Sequence, residues 1–382
     1  KEIIESIKLS DVPPLTKDKT IQVKESSQKK ELLVDEPVQN EESKPQRKEI
    51  TGEGKTVSTG RFSYLRKKQL VLVPVILLII AIILIFSSGS TLPFSKRDWI
   101  VITDFENLTG NPVLDKSLYT AFSISINQSS YINVFPKSRM LETLKRMKIT
   151  DQAYIDDKTG REIAIREGFK IYIVPSITAV GNSYSVTAKI LEAKTGNPLR
   201  SEVLYAKTLN EVLKTLDQLC KNIRRTLGES RYNIAIQDKP LQKVTTSSLE
   251  ALKLYSLGVD HLLILDFPAA RDYYKDALRI DTGFTTAKAS LGSLLIERFN
   301  DDKGCELLND AIKSVDNLTE RERLAILGFH AVKVEKNIPK GIGYEKMRTE
   351  LYPDDPAAHN TLGFYYQMKG QFEEALKEYK NT

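Results

Sequence analysis

The rhythm of hydrophobic and polar positions changes several times along the chain, and each change marks a boundary. Ile3, Ile4, Ile7 and Leu9 recur at helical spacing, so residues 1–10 read as the last helix of a truncated domain or as an isolated amphipathic turn. Residues 11–65 are rich in Lys, Glu, Gln, Ser and Pro with few aromatics. Such a stretch cannot bury enough apolar surface to offset the entropy of ordering and reads as a disordered linker. Seventeen residues from Leu70 to Phe86 (LVLVPVILLIIAIILIF) then carry no charge and no strongly polar side chain. A helix of that length rises about 26 Å at 1.5 Å per residue, close to the roughly 30 Å of a bilayer's hydrocarbon core. The pattern predicts one transmembrane helix within residues 66–91, with Ser87, Ser88, Gly89 and Ser90 extending it. A signal peptide is excluded by the sixty-odd polar residues that precede the run.

Beyond the apolar run the pattern predicts a mixed α/β domain over residues 97–232. Trp99–Phe105 is a short apolar strand ended by the turn signal ENLTGNP. A helix follows on Leu114, Leu118, Ala121, Phe122 and Ile126. Tyr131–Phe135 is a second strand, and Pro136 leads into a helix containing Met140, Leu141 and Leu144. After a helix around Arg161–Glu167, strands at Ile171–Val180, Tyr184–Leu191 and Arg200–Lys207 form an antiparallel meander, its tight turns at Gly181-Asn182 and Thr195-Gly196-Asn197. A long helix from Asn210 to Leu227 closes the domain, with Gly228 as its stop.

From residue 246 to 382 all apolar spacing is helical, and the sequence repeats with a period near 34, as Gly258 and Gly292 or Ala277 and Ala311 show. Gly258, Ala270, Tyr274 and Ala277 fill the small and aromatic positions of the tetratricopeptide pattern, where two helices cross. Leu362-Gly363, Tyr366, Gly370, Ala375 and Tyr379 fill them again in the last unit. The second unit is weaker, with Gly304 and Leu308, and the third is displaced by an insertion near Asn337–Gly343. These features predict an all-α solenoid whose final unit lacks a full second helix and a polar cap. The chain begins at Lys1 and stops at Thr382 inside that pattern, so it is read as a piece of a longer protein.

Charge adds orientation. Arg61, Arg66, Lys67 and Lys68 precede the apolar run, whereas Lys96 and Arg97 lie farther from it and are followed by Asp98. The positive-inside rule places the N-terminus in the cytoplasm and residues from about 95 onward outside. A net charge of +6 over 382 residues gives no nucleic-acid footprint. Cys220 and Cys305 have no neighbours at metal spacing and read as small buried residues.

Catalytic chemistry is not visible. TGEGKTVSTG (51–60) lacks the first glycine of a phosphate-binding loop, since Glu49 stands there. His261, His330 and His359 lie on repeat helices without a carboxylate or cysteine at ligand spacing. Asp104, Glu106 and Asp115 flank the first strand–helix turn and suit either a small ligand site or caps and turns. The sequons at Asn107 and Asn317 carry no functional reading by themselves. No cofactor and no metal site is expected. What remains is binding by the concave face of the repeats, which places Leu252, Tyr255, Val259, Leu262, Asn360, Phe364 and Gln367 against an extended or helical peptide.

The stretch WIVITDFENLTGNPVLDKSLYTAFSISINQSSYINVFP, followed by VTTSSLEALKLYSLG and the repeats, resembles a recurring extracytoplasmic arrangement of bacterial signalling proteins. Its α/β domain is similar to the N-terminal domain of TolB and to the FlgO/CsgG group. The resemblance covers about 98–382 and concerns domain order. It implies a cytoplasmic effector upstream, most often a Ser/Thr protein kinase. In other proteins of this plan a CadC-like winged-helix regulator or a class III nucleotide cyclase takes that place, and a scaffold without an effector is the remaining alternative. The partners implied are the membrane, a protein or peptide in the groove and a second copy of the chain.

Overall fold

The computed structural model describes residues 92–149 and 154–382. The expected linker and the transmembrane helix at 66–91 lie outside the described residues, among which no helix is long and apolar enough to cross a membrane.

Residues 92–382 belong to one compact unit. Its first part is a mixed sheet in the order β3-β1-β4-β5-β6, from β1 (Trp99–Ile102), β3 (Asn133–Val134), β4 (Ile171–Val180), β5 (Ser183–Glu192) and β6 (Pro198–Ala206). β1 runs parallel to both β3 and β4, while β4, β5 and β6 form the expected antiparallel meander. Where the sequence predicted only a turn after the first strand, Glu106–Leu108 forms β2, paired in parallel with Ser176–Thr178 of β4. β4 is ten residues long and β1 only four. The second half of β4 therefore needs another partner for its backbone groups, and β2 supplies it.

Period-two alternation sends the two faces of β1 into different cores. Ile100 and Ile102 join one cluster, packed with α1 (Ser117–Asn127) and α4 (Val212–Thr226). Val101 points the other way, into a cluster with Met140 and Leu144 of α2 (Lys137–Arg146) and Ile163 and Ala164 of α3 (Asp157–Arg166). Short helices α5 (Arg231–Gln237) and α6 (Leu241–Val244) lead to the repeats.

Four helix pairs follow: α7 (Leu249–Leu263) with α8 (Phe267–Ile280), α9 (Thr285–Leu294) with α10 (Lys303–Ile312), α11 (Glu320–Lys333) with α12 (Ile338–Leu351), and α13 (Pro356–Met368) with α14 (Phe372–Tyr379). In the first and last pairs a glycine lies under a tyrosine ring. A Cβ added to Gly258 would stand 2.5 Å from Tyr274, and one on Gly363 2.7 Å from Tyr379. Gly292 meets the backbone of Gly304 and the side chain of Leu308 in the second pair. The third pair carries one extra residue between its helices, with Lys336 at φ 58°. There Gly328 lies beside Gly341 and the carboxylate of Glu345.

Candidate functional site

The A helices of the pairs (α7, α9, α11 and α13) line a concave face, and the α/β domain occupies part of it. α7 packs against α1 and against the turn Pro112–Leu114 that precedes α1. Leu252 is fully buried in a core that runs from the sheet through the second repeat. Tyr255 is also buried, its ring 5.5 Å from that of Tyr274 and 5.0 Å from that of Phe284. Val259 packs on the same core. These three candidate residues hold the two parts together instead of facing an open groove. Periodicity identified their helix face, but the sequence alone did not say that the chain's own α/β domain would cover it.

Polar contacts fasten the same junction. Asp260 on α7 accepts from Lys116 and from Lys137, at 3.1 Å each, and Lys137 also reaches Asp104 at 3.2 Å. At the far end of the repeats, Asp354 receives a two-point contact from Arg97 at 2.6 and 2.5 Å and a hydrogen bond from Asn133 at 2.9 Å. Arg97 holds the Asp354 carboxyl below its ordinary range. Lys239 donates to the carbonyl oxygens of Asp316 and Leu318.

The uncovered part of the concave face is a cavity of about 510 Å³. Leu262 from α7, Ala289 from α9, and Ile326 and Phe329 from α11 make its apolar wall, while Glu345, Arg348 and Tyr365 bring polar groups to it. Of the candidate residues Leu262 lies here. On α13 the lining residues are Thr361 and Tyr365, each one place beyond Asn360 and Phe364. Asn360 is exposed, Phe364 lies 6.0 Å from Lys333 Nζ, and Gln367 accepts a hydrogen bond from the Tyr379 hydroxyl at 3.0 Å. The fold therefore does not gather the seven residues into one surface.

Buried charge distinguishes this cavity. Glu345 is 1% exposed and accepts from Arg348 at 3.2 Å. Burial pushes its carboxyl up to about 7, against the opposing pull of Arg348. Burial also raises the Tyr365 hydroxyl, whose oxygen has no hydrogen-bond partner. Asp355 binds Arg348 at 2.9 Å and Arg321 at 3.0 Å. Its burial is outweighed by these two cations, and its carboxyl is lowered. Nothing in the repeat pattern announced this cluster, because Glu345 stands where the first and last pairs place tyrosines.

The remaining candidates have structural duties. Asp104 is buried, accepting from the Ile155 amide at 2.8 Å as well as from Lys137. Glu106 is exposed and shares with Asp104 a cavity of about 660 Å³ beside the end of β1. Asp115 lies apart, accepting from Asn107 at 2.8 Å. The same Asn107 side chain accepts from Thr109 and donates to the Asn111 carbonyl, so the sequon's amide is engaged in its own turn.

Each histidine has a carboxylate partner, contrary to expectation: His261 with Asp266 at 3.0 Å, His330 with Glu335 at 3.3 Å and His359 with Glu378 at 2.6 Å. These are contacts between a repeat's first helix and the turn or helix after it. Among the described residues no group of three or more His, Cys, Asp and Glu is placed to hold a metal ion.

No known family profile matches the sequence, and no curated protein matches it. Among solved structures, the chain is similar over 30% of its length to the LpoB C-terminal domain from Salmonella enterica, at 9% identity, 87% coverage of that chain and a TM-score of 0.28. It is similar over 36% of its length to TolB from Acinetobacter baumannii, at 13% identity, 30% coverage of that chain and a TM-score of 0.25. It is similar over 45% to MamA from Desulfovibrio magneticus RS-1, at 17% identity, 91% coverage of that chain and a TM-score of 0.27. Likeness at this level bears on no residue and no activity.

Proposed function

We propose that residues 97–382 are the extracytoplasmic sensor and protein-interaction arm of a single-pass bacterial signalling protein, with the uncovered half of the repeat groove holding a segment of a partner protein. The observation that carries this reading is the apolar wall of Leu262, Ala289, Ile326 and Phe329 around an open concave cavity. Stacked helical pairs use such faces to bind extended or helical segments. The effector in this reading is a Ser/Thr protein kinase on the cytoplasmic side. A winged-helix regulator, a nucleotide cyclase and a scaffold without effector are the alternatives.

Photo-crosslinking in cells tests the groove. A benzophenone side chain at Leu262 or Thr361 should yield one shared adduct, whereas one at the exposed Tyr205 of β6 should not. An adduct from Tyr205 alone would end the groove reading. Orientation is read by an impermeant maleimide on intact cells, with cysteines at Asn40 and at the exposed Glu250 in a Cys305→Ser background. Labelling confined to position 250 is expected, and labelling confined to position 40 would reverse the topology. Phosphate incorporation from labelled ATP by the longest native form separates the kinase from its alternatives. Light scattering of that form reads pairing of two copies.

A further inference from the structure

We propose that the free edge of the sheet is a docking strand for a second copy of this chain, β6 pairing antiparallel with β6 about Val203. No β6 residue lines the repeat groove, so the pairing does not depend on a partner protein binding there.

An edge strand presents unpaired backbone groups, and folds keep such edges short, charged or covered. Here β2 is three residues long and β3 two, and Asp354 of the repeats bonds to Asn133 of β3. β6 is nine residues long, and among the described residues nothing pairs with its outer side. The phase of the meander tells which of its groups are free. Val180 and Ser183 close a two-residue turn as a bonded pair, and at the other end the Glu192 amide donates to the Asn197 carbonyl. Even-numbered residues of β5 therefore bond to even-numbered residues of β6. Ser201, Val203 and Tyr205 are left with N–H and C=O directed outward. The series stops at Leu199, because β6 steps from Arg200 to Pro198 where β5 steps from Ile190 to Leu191.

What these three residues present matches itself. In an antiparallel pair about Val203, Ser201 lies opposite Tyr205 and Val203 opposite Val203, and each exchanges both backbone bonds. On the open face Val203 is 43% and Tyr205 68% exposed. Pairing sets each tyrosine ring diagonally against the valine of the second copy. Charge selects the same register. Glu202 is the one charged residue between Ser201 and Tyr205, and its carboxylate accepts from the Thr226 hydroxyl at 3.0 Å. Centred on Val203, it faces Leu204 of the second copy. Centred on Glu202, two carboxylates would stand directly opposite, which is destabilising. A patch that pairs with itself about a two-fold axis closes at two copies.

Sedimentation velocity of the full chain in mild detergent should show a monomer–dimer equilibrium. Val203→Pro removes an outward amide that the fold itself does not use, so circular dichroism should be unchanged. Val203→Lys keeps the backbone and sets two cations opposite each other. Each should raise the dimer dissociation constant about tenfold or more. In a Cys305→Ser background, a short bismaleimide should bridge Val203→Cys to itself and leave the exposed Val180→Cys unbridged. Ser201→Cys and Tyr205→Cys chains should bridge best when mixed. A monomer at every concentration, a dimer indifferent to both substitutions at 203, or equal bridging from Val180→Cys would overturn the proposal. So would a product joining Val203→Cys to another protein or to another segment of its own chain. A benzophenone at Tyr205 then gives a two-chain adduct, distinct in mass from the one shared by Leu262 and Thr361, so the strand and the groove are tested separately.

Discussion

At position 345 the chain buries a carboxylate where its first and last repeats bury a tyrosine ring. Gly258 and Gly363 lie beneath Tyr274 and Tyr379, and Gly328 lies beneath Glu345. An acid whose folded pKa is raised binds more protons folded than unfolded, so the protein loses stability as pH rises. For Glu345 that loss runs from its ordinary 4.5 to about 7. Glu345→Gln should therefore be close to neutral near pH 4.5 and gain on the wild type by on the order of 1–3 kcal/mol at pH 8. Thermal melts of both proteins across this range read the difference directly, and a gap that does not change with pH would show that Glu345 is not the titrating group. The glycines make a converse case. Gly258→Ala would drive a methyl group into the Tyr274 ring and should cost about 1–3 kcal/mol in denaturant unfolding. This steric demand was legible in the sequence, because only a residue without a side chain fits beneath an aromatic where two helices cross. The Glu345 cluster was not, because its partners Arg348, Asp355 and Tyr365 meet only after the extra residue of the third hairpin is folded in.

Among the elements, α4 shows what amphipathic spacing conceals. Leu216, Leu219, Cys220 and Ile223 form the expected apolar stripe, yet Arg224 is fully buried beside them. Its guanidinium pairs with Glu229 at 2.8 and 3.0 Å and with Asp238, fixing the end of α4 to the segment that leads into the repeats. Ser129 adds a hydrogen bond to Glu229 at 2.6 Å and accepts from the Tyr131 and Ile132 amides, which draws the segment leading into β3 into the same network. Removing one member of a buried ionic network leaves its partners uncompensated, so Arg224→Met should cost about 3–5 kcal/mol. Urea unfolding followed by circular dichroism measures it, and a cost below about 1 kcal/mol would mean that water replaces the arginine. A lone arginine near a helix end reads as a surface residue in any sequence. Its partners lie five and fourteen residues onward, across a chain reversal that local pattern does not encode. The meander β4–β6 was legible for the opposite reason, since its strands alternate and its turns carry Gly181 and Gly196 at positive φ. β2 was missed because its three residues look like a turn and become a strand only by pairing with β4.

For the whole molecule, the division into an α/β domain and a repeat array follows the sequence but not the cores. One cluster runs from Ile100 of the sheet through Leu252 and Tyr274 to Leu295 in the second repeat. The third and fourth repeats have smaller clusters of their own, around Leu324 and Tyr344 and around Val332, Leu362 and Tyr366. Cooperative units follow shared apolar contacts, so the first two repeats should open together with the sheet. The last two are held by less apolar packing and by polar ties, chief among them Asp354 to Arg97 and Asn133. Native-state hydrogen exchange should accordingly show α7 and α9 protected as strongly as β4, with α13 and α14 exchanging through smaller openings. Asp354→Ala removes the tie without touching either core. It should speed exchange across α13 and α14 and leave β4, α1 and α7 unchanged. Equal acceleration throughout would mean that the last repeats are part of the global unit. If no amide changed, the Arg97–Asp354 contact would be a surface pair of little weight, and the closure of the α/β domain on the repeats would rest on α1 and the Pro112–Leu114 turn against α7, with the Asp260 and Lys239 contacts.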